Sequence, residues 1–218
     1  MMVIKEIKKD KRGNSLLRFD EDNLMKINTE IMLKNGIKAG DSLNDDELEK
    51  LQKESEIYKA KNKALNLLSY RSRSKKELKE KIQRESGEVY ADIAVKKMEN
   101  LGLLNDKIFA KDYAEELVFK KKFSISGAKY RLREKGIENE IIEEIFNNME
   151  VNEKLQALDV INKRLLKKAV DEKSKNKVVN ILVRLGYSWN TIKRAFELFE
   201  EQEQERAQAE MFAQKILG

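Results

Sequence analysis

The chain has no cysteine, no histidine and no proline in its 218 residues. The lack of cysteine removes disulfides and thiolate nucleophiles. With histidine also missing, Cys/His zinc sites and any histidine-based catalytic triad are excluded. A chain without disulfides fits a reducing cytoplasm, the expected location. Proline interrupts helices, so its absence suits long unbroken ones. No apolar run approaches the ~20 residues that a membrane-spanning helix needs, and the segment Met1 to Lys9 lacks a signal-peptide pattern. Phosphate-cradling Gly-rich loops and nucleophile elbows are missing too.

What the chain does have is charge. Charged residues make up 39% of it, well above the usual quarter, beside 40% hydrophobic residues that suffice for a core. The net charge of +6 favours polyanionic partners. Asp and Glu are spread along helical stretches beside Lys and Arg, the pattern of solubilising ion pairs. No metal site, no cofactor and no catalytic residue is expected.

One short pattern recurs at an interval of 50 residues: Leu78, Ile82 and Ser86-Gly87; Ala128, Leu132 and Gly136; Val178, Leu182 and Gly186. After each break another helix carries an apolar residue near the same offset, at Ile93, Ile142 and Ile192. A period of this size marks a supersecondary unit that buries its apolar face against neighbouring copies. The fold class expected is mainly α, with tandem three-helix repeats forming an elongated curved array behind a small N-terminal β-rich extension. The divisions expected are 1–54 for the β piece, 55–103 and 104–150 for repeats one and two, and 151–218 for repeat three with an acidic tail.

In chain order, Val3 to Phe19 reads as a hairpin turning at Lys11-Arg12-Gly13-Asn14, and Asn23 to Asn28 as a third strand. A short helix fits Glu30 to Asn35, capped by Thr29 and ended by Gly36. Asn44 and Glu47 form a capping box that starts a helix ending near Tyr70. The repeats then predict helices over 74–85, 91–101, 106–121, 126–135, 138–149, 152–168, 175–185 and 188–200. Ser74, Asn105, Ser126 and Ser188 are the expected caps, and the acidic tail from Glu197 to Glu210 continues as a solvated helix.

Basic residues gather on the middle helices. Arg71, Arg73, Lys75, Lys76, Lys79, Lys81 and Arg84 are opposed locally only by Glu77 and Glu80. Lys120, Lys121, Lys122, Lys129, Arg131, Arg133 and Lys135 are opposed only by Glu134. Lys79 matches Lys129 and Lys81 matches Arg131 at the repeat interval, so a basic stripe, the footprint of a polyanion, is expected. Lys163, Arg164, Lys167 and Lys168 form a further cluster. The run Arg71-Ser72-Arg73-Ser74 supports two compatible readings. One is a capping box of Ser74 with Glu77; the other is an anion contact through Arg71 and Arg73 at a helix start. The aromatics Phe109, Tyr113, Phe119, Phe123, Tyr130, Phe146, Trp189, Phe196 and Phe199 fall mostly on apolar helical positions and are read as core, with Tyr70 and Tyr187 open.

Three segments carry a resemblance. Ala64 to Ser74 followed by Glu77-Leu78 resembles the hallmark start of the RecX family, regulators of the RecA recombinase. Leu101 to Asp106 with Phe109-Ala110 and Tyr113 is similar to that family's second signature, and Lys135-Gly136-Ile137 with Ile141 and Ile142 to its third. Ser86-Gly87 departs from the usual Lys-Gly ending by one residue, and the third repeat carries no recognisable signature. The resemblance implies a non-catalytic, helical protein that lodges along the RecA–single-stranded-DNA filament and restrains its recombinase and co-protease activity. The partners expected are the RecA filament, single-stranded DNA and double-stranded DNA, with no membrane, and the chain is expected to be a monomer. The residues expected to meet filament or nucleic acid are Arg71, Arg73, Lys75, Lys76, Lys79, Lys122, Lys129, Arg131 and Arg133. The alternatives are a helical-repeat DNA-binding module without RecA specificity and, third, a nuclease.

Overall fold

The computed structural model describes residues 1–20, 23–165 and 171–217. The chain is mainly α-helical with a small N-terminal sheet, and it divides into two compact units, Met1–Asp106 and Lys107–Gly218.

The first unit opens with β1 (Met2–Val3), β2 (Glu6–Lys9), β3 (Asn14–Arg18), β4 (Leu24–Asn28), α1 (Thr29–Lys34) and β5 (Ser42–Leu43). The expected hairpin and third strand form an antiparallel sheet in the order β2-β3-β4, with Ile7 opposite Leu17 and Leu17 opposite Met25. Strand alternation turns Leu17 and Ile27 inward, where they join Ile4, Phe19, Ile31 and Leu43. The pairing of β1 with β5 escapes sequence reading, because two-residue strands carry no period. Asn28, not Thr29, caps α1: its Oδ1 accepts the Glu30 N–H at 2.8 Å, while the Thr29 hydroxyl meets that of Ser15.

Helix α2 (Asp45–Tyr70) starts with the expected box. Asn44 accepts from the Glu47 N–H and Glu47 accepts from the Asn44 N–H, each at 2.8 Å. It then runs without a break through position 54. Leu48, Leu51 and Tyr58 on its first half close the β core, and Ala60, Ala64, Leu67 and Leu68 on its second half join α3 (Lys75–Ser86) and α4 (Glu88–Asn100). Leu78 and Ile82 are fully buried there, as the repeat pattern requires. The matching residue in α4 differs from expectation. Ile93 is only half-buried, and Ala91, Ala94, Val95 and Met98 face the core. The extra residue before Gly87 explains this. Gly87 (φ 82°, ψ 167°) ends α3 and starts α4 in one step, so the core positions of α4 fall early: Ala91 stands four residues after its cap, as Ile142 of α7 stands four after Glu138.

The second unit contains α5 (Asp106–Glu115, beginning at the last residue of the first unit) with a π-helical turn at Glu116–Lys120, α6 (Ile125–Glu134) and α7 (Asn139–Asn147). These surround Phe109, Leu117, Ala128, Leu132, Ile142 and Phe146. There follow α8 (Glu153–Leu165), α9 (Glu172–Arg184) and α10 (Trp189–Leu217) around Ile161, Val178, Leu182, Ile192 and Phe199. The acidic tail thus continues α10, as expected. The end of the helix expected over 152–168, with Lys167 and Lys168, lies outside the described residues.

Ser124, not Ser126, caps α6 by accepting the Gly127 N–H at 3.0 Å. Ser124 stands 50 residues after Ser74, so the cap obeys the repeat. Close contacts tie α5–α7 to α8–α10. The Ile125 N–H donates to Glu153 Oε1 at 2.6 Å and the Ser124 N–H to the Leu185 carbonyl at 3.0 Å. Gln156 donates to the Val118 carbonyl in the π turn, one of those the wider turn releases from regular pairing. Gly186 (φ 89°) lies directly on Gly127: a Cβ on Gly186 would fall 2.6 Å from the Gly127 Cα.

Candidate nucleic-acid interface

Ser74 caps α3 by accepting the Glu77 N–H at 3.2 Å. Glu77's carboxylate turns to the two arginines of the motif. Arg71 bonds it and also donates to the Ser72 carbonyl at 2.9 Å. Arg73 donates to Glu77 Oε1 at 2.6 Å and to the Leu67 carbonyl at 3.0 Å. Arg73 is 8% exposed, so its guanidinium serves the interior and fastens the end of α2 to the start of α3. The helix start itself is occupied, because the Lys75 N–H donates to Asp106 Oδ1 at 2.8 Å. The same device recurs at Ile125 with Glu153. In both cases the first amide of a middle helix is satisfied by an acid that opens a later helix, leaving little room for an outside anion.

The matched lysines also have an internal explanation. Lys79 reaches Asp92 at 2.7 Å and Glu88 at 3.1 Å, and these carboxylates, Asp92 first, hold its ammonium above the usual lysine value. Lys129 reaches Glu143 at 2.5 Å and stands over the Phe146 ring at 5.6 Å. Each therefore bridges the middle helix of its repeat to the third. Lys75 likewise meets Glu99 at 2.5 Å. Counter-charges that look scarce along the sequence arrive from the neighbouring helix.

Lys122 is half-buried, with Nζ 3.1 Å from Asp159, and its backbone adopts φ 61°, the only positive φ outside glycine among the described residues. The Tyr187 hydroxyl donates to the Lys122 carbonyl at 3.0 Å and is 5% exposed; burial pushes its phenol well above the usual value. A left-handed backbone costs a side-chain-bearing residue about 1 kcal/mol that glycine avoids. The half-exposed ion pair offsets less than that. Lys122→Gly is therefore expected to raise stability by about 1 kcal/mol in urea denaturation, and a lower midpoint would contradict the strain.

The remaining expected contacts are open to solvent. Lys76 is exposed; Arg131 bonds Glu134 at 2.8 Å, and Arg133 bonds Asn139 at 2.9 Å with Glu143 at 4.0 Å. Lys81, Arg84, Lys96 and Lys97 make no ion pair among the described residues, and sequence reading left the last two unassigned. Several aromatics also depart from expectation. Phe119, Tyr130 and Trp189 are half or more exposed; of the two left open, Tyr187 is core and Tyr70 exposed. Tyr113 and Phe123 are half-buried among cations: Lys121 and Lys135 lie over the Tyr113 ring at 5.8 and 6.0 Å, and Arg131 over Phe123 at 5.6 Å. Among the described residues there is no group of three acids that could hold a metal, and no helix long and apolar enough to cross a membrane.

Comparison with known proteins gives one consistent result. Residues 60–86, from the middle of α2 to the end of α3, match the family model for the first three-helix domain of RecX. The regulatory protein RecX of Clostridioides difficile (strain 630) is 28% identical over 199 residues, spanning 89% of this chain and 94% of the relative. That of Clostridium botulinum (strain Eklund 17B / Type B) is 29% identical, spanning 86% and 91%. A crystal structure of regulatory protein RecX shares the fold with a TM-score of 0.59 at 18% identity, over 90% of this chain and all of that one. The crystal structure of RecX from Lactobacillus salivarius superposes with a TM-score of 0.52 at 25% identity, over 66% of this chain and 97% of that one. With the first-domain model matched at α2–α3, relatives aligned along nearly the whole chain and the same fold in solved structures, the chain is similar to regulatory protein RecX over most of its length.

Proposed function

We propose that this protein binds the RecA–single-stranded-DNA filament in the cytoplasm, restrains its recombinase and co-protease activity, and performs no catalysis of its own. The observation that carries the reading is the coincidence, on α2–α3, of the RecX first-domain match with the exposed cations Arg71, Lys76 and Arg84. A regulator of a nucleoprotein polymer must meet both phosphate and protein, and this surface offers both signs of charge. In this reading Arg71, Lys76, Arg131 and Arg133 make the outward contacts. Lys75, Lys79, Lys122 and Lys129 contribute to the local potential while joining helices, and Arg73 holds the motif in shape. The three-helix repeats are the units that present these groups.

The direct test adds the protein to a preformed RecA filament and follows ATP hydrolysis and DNA occupancy. Both should fall with added protein. Unchanged values at saturating protein would reject the reading, and equal affinity for filament and naked strand would favour a DNA-binding module without RecA specificity. Removing two outward cations in Lys76→Ala/Arg133→Ala should flatten the salt dependence of single-strand binding by about 1.4, since each lost phosphate contact removes about 0.7. An unaltered slope would clear both residues of that role.

A further inference from the structure

We propose that the cleft between the π turn and α6 takes one unstacked base of a single strand together with its adjoining phosphate. The inference rests on the DNA contact proposed above and gives it a specific subsite. The cleft has a volume of about 390 Å³ and is lined by Tyr113 and Phe123 with Lys121, Arg131, Lys135 and Glu134. That volume lies at the lower end of the range for small-ligand sites, which suits a single nucleotide unit.

Its chemistry separates it from an ordinary solvated helix face. Three cations and one acid give it a positive balance. The two rings supply flat apolar surface that a carboxylate partner would not use but a base would. Phe109, itself 6% exposed, stacks on Tyr113 with ring centroids 5.5 Å apart, which fixes the Tyr113 ring from the core side. The π turn brings this about. Its widened backbone, with the Lys121 N–H donating to the Glu116 carbonyl and the Phe123 N–H to the Leu117 carbonyl, both at 2.9 Å, swings Phe123 back toward the start of α6. Wider turns of this kind are frequent at functional sites.

The cations already in place are held by exchangeable partners. Lys121 pairs with Glu116 at 2.9 Å and Arg131 with Glu134 at 2.8 Å, with all four side chains more than 40% exposed. Surface pairs of this kind contribute little and are readily exchanged for phosphate. A base entering over Tyr113 takes the place of the ammonium groups above the ring. The Arg131 guanidinium then covers the base's other edge, and Lys121 and Lys135 turn to the phosphate. Every base has a face to stack, so the subsite is indifferent to sequence.

The test compares the full chain's affinity for a labelled short oligothymidylate and for an abasic oligomer of the same length and charge. Oligothymidylate is expected to bind about tenfold more tightly, and Tyr113→Leu is expected to abolish that difference while leaving abasic binding unchanged. Because Tyr113 touches the core, a second measurement uses the unmodified protein. Oligomers carrying 5-iodouracil are irradiated and the adduct mapped, with Tyr113 or Phe123 expected. Equal affinity for the two oligomers, or adducts confined to other residues, would overturn the subsite while leaving the filament reading intact. Displacement by polyglutamate as effective as by unlabelled oligothymidylate would assign the cleft to an acidic peptide and also overturn it. A tenfold preference with no effect on RecA filaments would uphold the subsite and count against the filament reading alone.

Discussion

Gly127→Ala is expected to destabilise the unit that begins at Lys107 by roughly 3 kcal/mol. Helix propensity alone points the other way, since alanine inside a helix gains about 1 kcal/mol over glycine. The surroundings decide the sign. A Cβ at Gly127 would lie 2.2 Å from the Leu185 carbonyl oxygen and 3.0 Å from its carbon, which are main-chain atoms with no rotamer to move away. Relief requires α6 to withdraw from the Leu185–Gly186 turn. Withdrawal stretches the Ser124 to Leu185 bond of 3.0 Å and the Tyr187 to Lys122 bond of 3.0 Å. Overpacking costs about 1–3 kcal/mol and each weakened hydrogen bond about 1 more, which exceeds the propensity gain. Urea denaturation of Gly127→Ala beside Ser126→Ala, an exposed neighbour, provides the check. Equal midpoints would mean that the two glycines do not meet as described.

Residues whose environment is local were legible in the sequence, and residues whose environment arrives from elsewhere were not. Leu78, Ile82, Ala128, Leu132, Val178 and Leu182 could be read as core because a helix that packs on one side repeats its apolar positions. All six are buried. Asn44 and Glu47 lie three residues apart, so their box needs no tertiary information. The partners of Lys79 and Lys129 come from α4 and α7, and only folding reveals that these matched lysines join helices. The π turn likewise has a distant partner on α8, where Gln156 meets a carbonyl 38 residues earlier in the chain. The same blindness affects Phe119, Tyr130 and Trp189: periodicity marks them apolar but does not say that the facing surface is solvent. At the proposed site the basic residues were visible in composition and spacing. Helical periodicity reads the rings of Tyr113 and Phe123 as core along with most of the other aromatics, although Phe123 follows Lys120-Lys121-Lys122 directly, a signal that it sits at a charged surface.

Glu77→Gln should show which arginine of the Arg71-Ser72-Arg73-Ser74 run is structural. Side-chain exposure is 9% for Arg73 and 11% for Glu77, against 51% for Arg71. Removing the carboxylate charge strands the Arg73 guanidinium beside the Leu67 carbonyl, away from water and without its counter-ion. Loss of one partner from such a pair costs about 3–5 kcal/mol, so the first unit should melt at a clearly lower temperature. Arg71→Ala, which breaks the exposed bond to the same acid, should cost under ~1 kcal/mol. If the penalty in Glu77→Gln comes from stranded charge, the double variant Arg73→Met/Glu77→Gln should recover much of it, because an apolar replacement of similar volume leaves no ion to solvate. Thermal denaturation followed by circular dichroism measures all three. Single-strand binding by the double variant supplies the functional half: Arg73 faces inward, so the salt dependence should stay at the unmodified slope. A slope lower by about 0.7 would instead return Arg73 to the set of phosphate contacts.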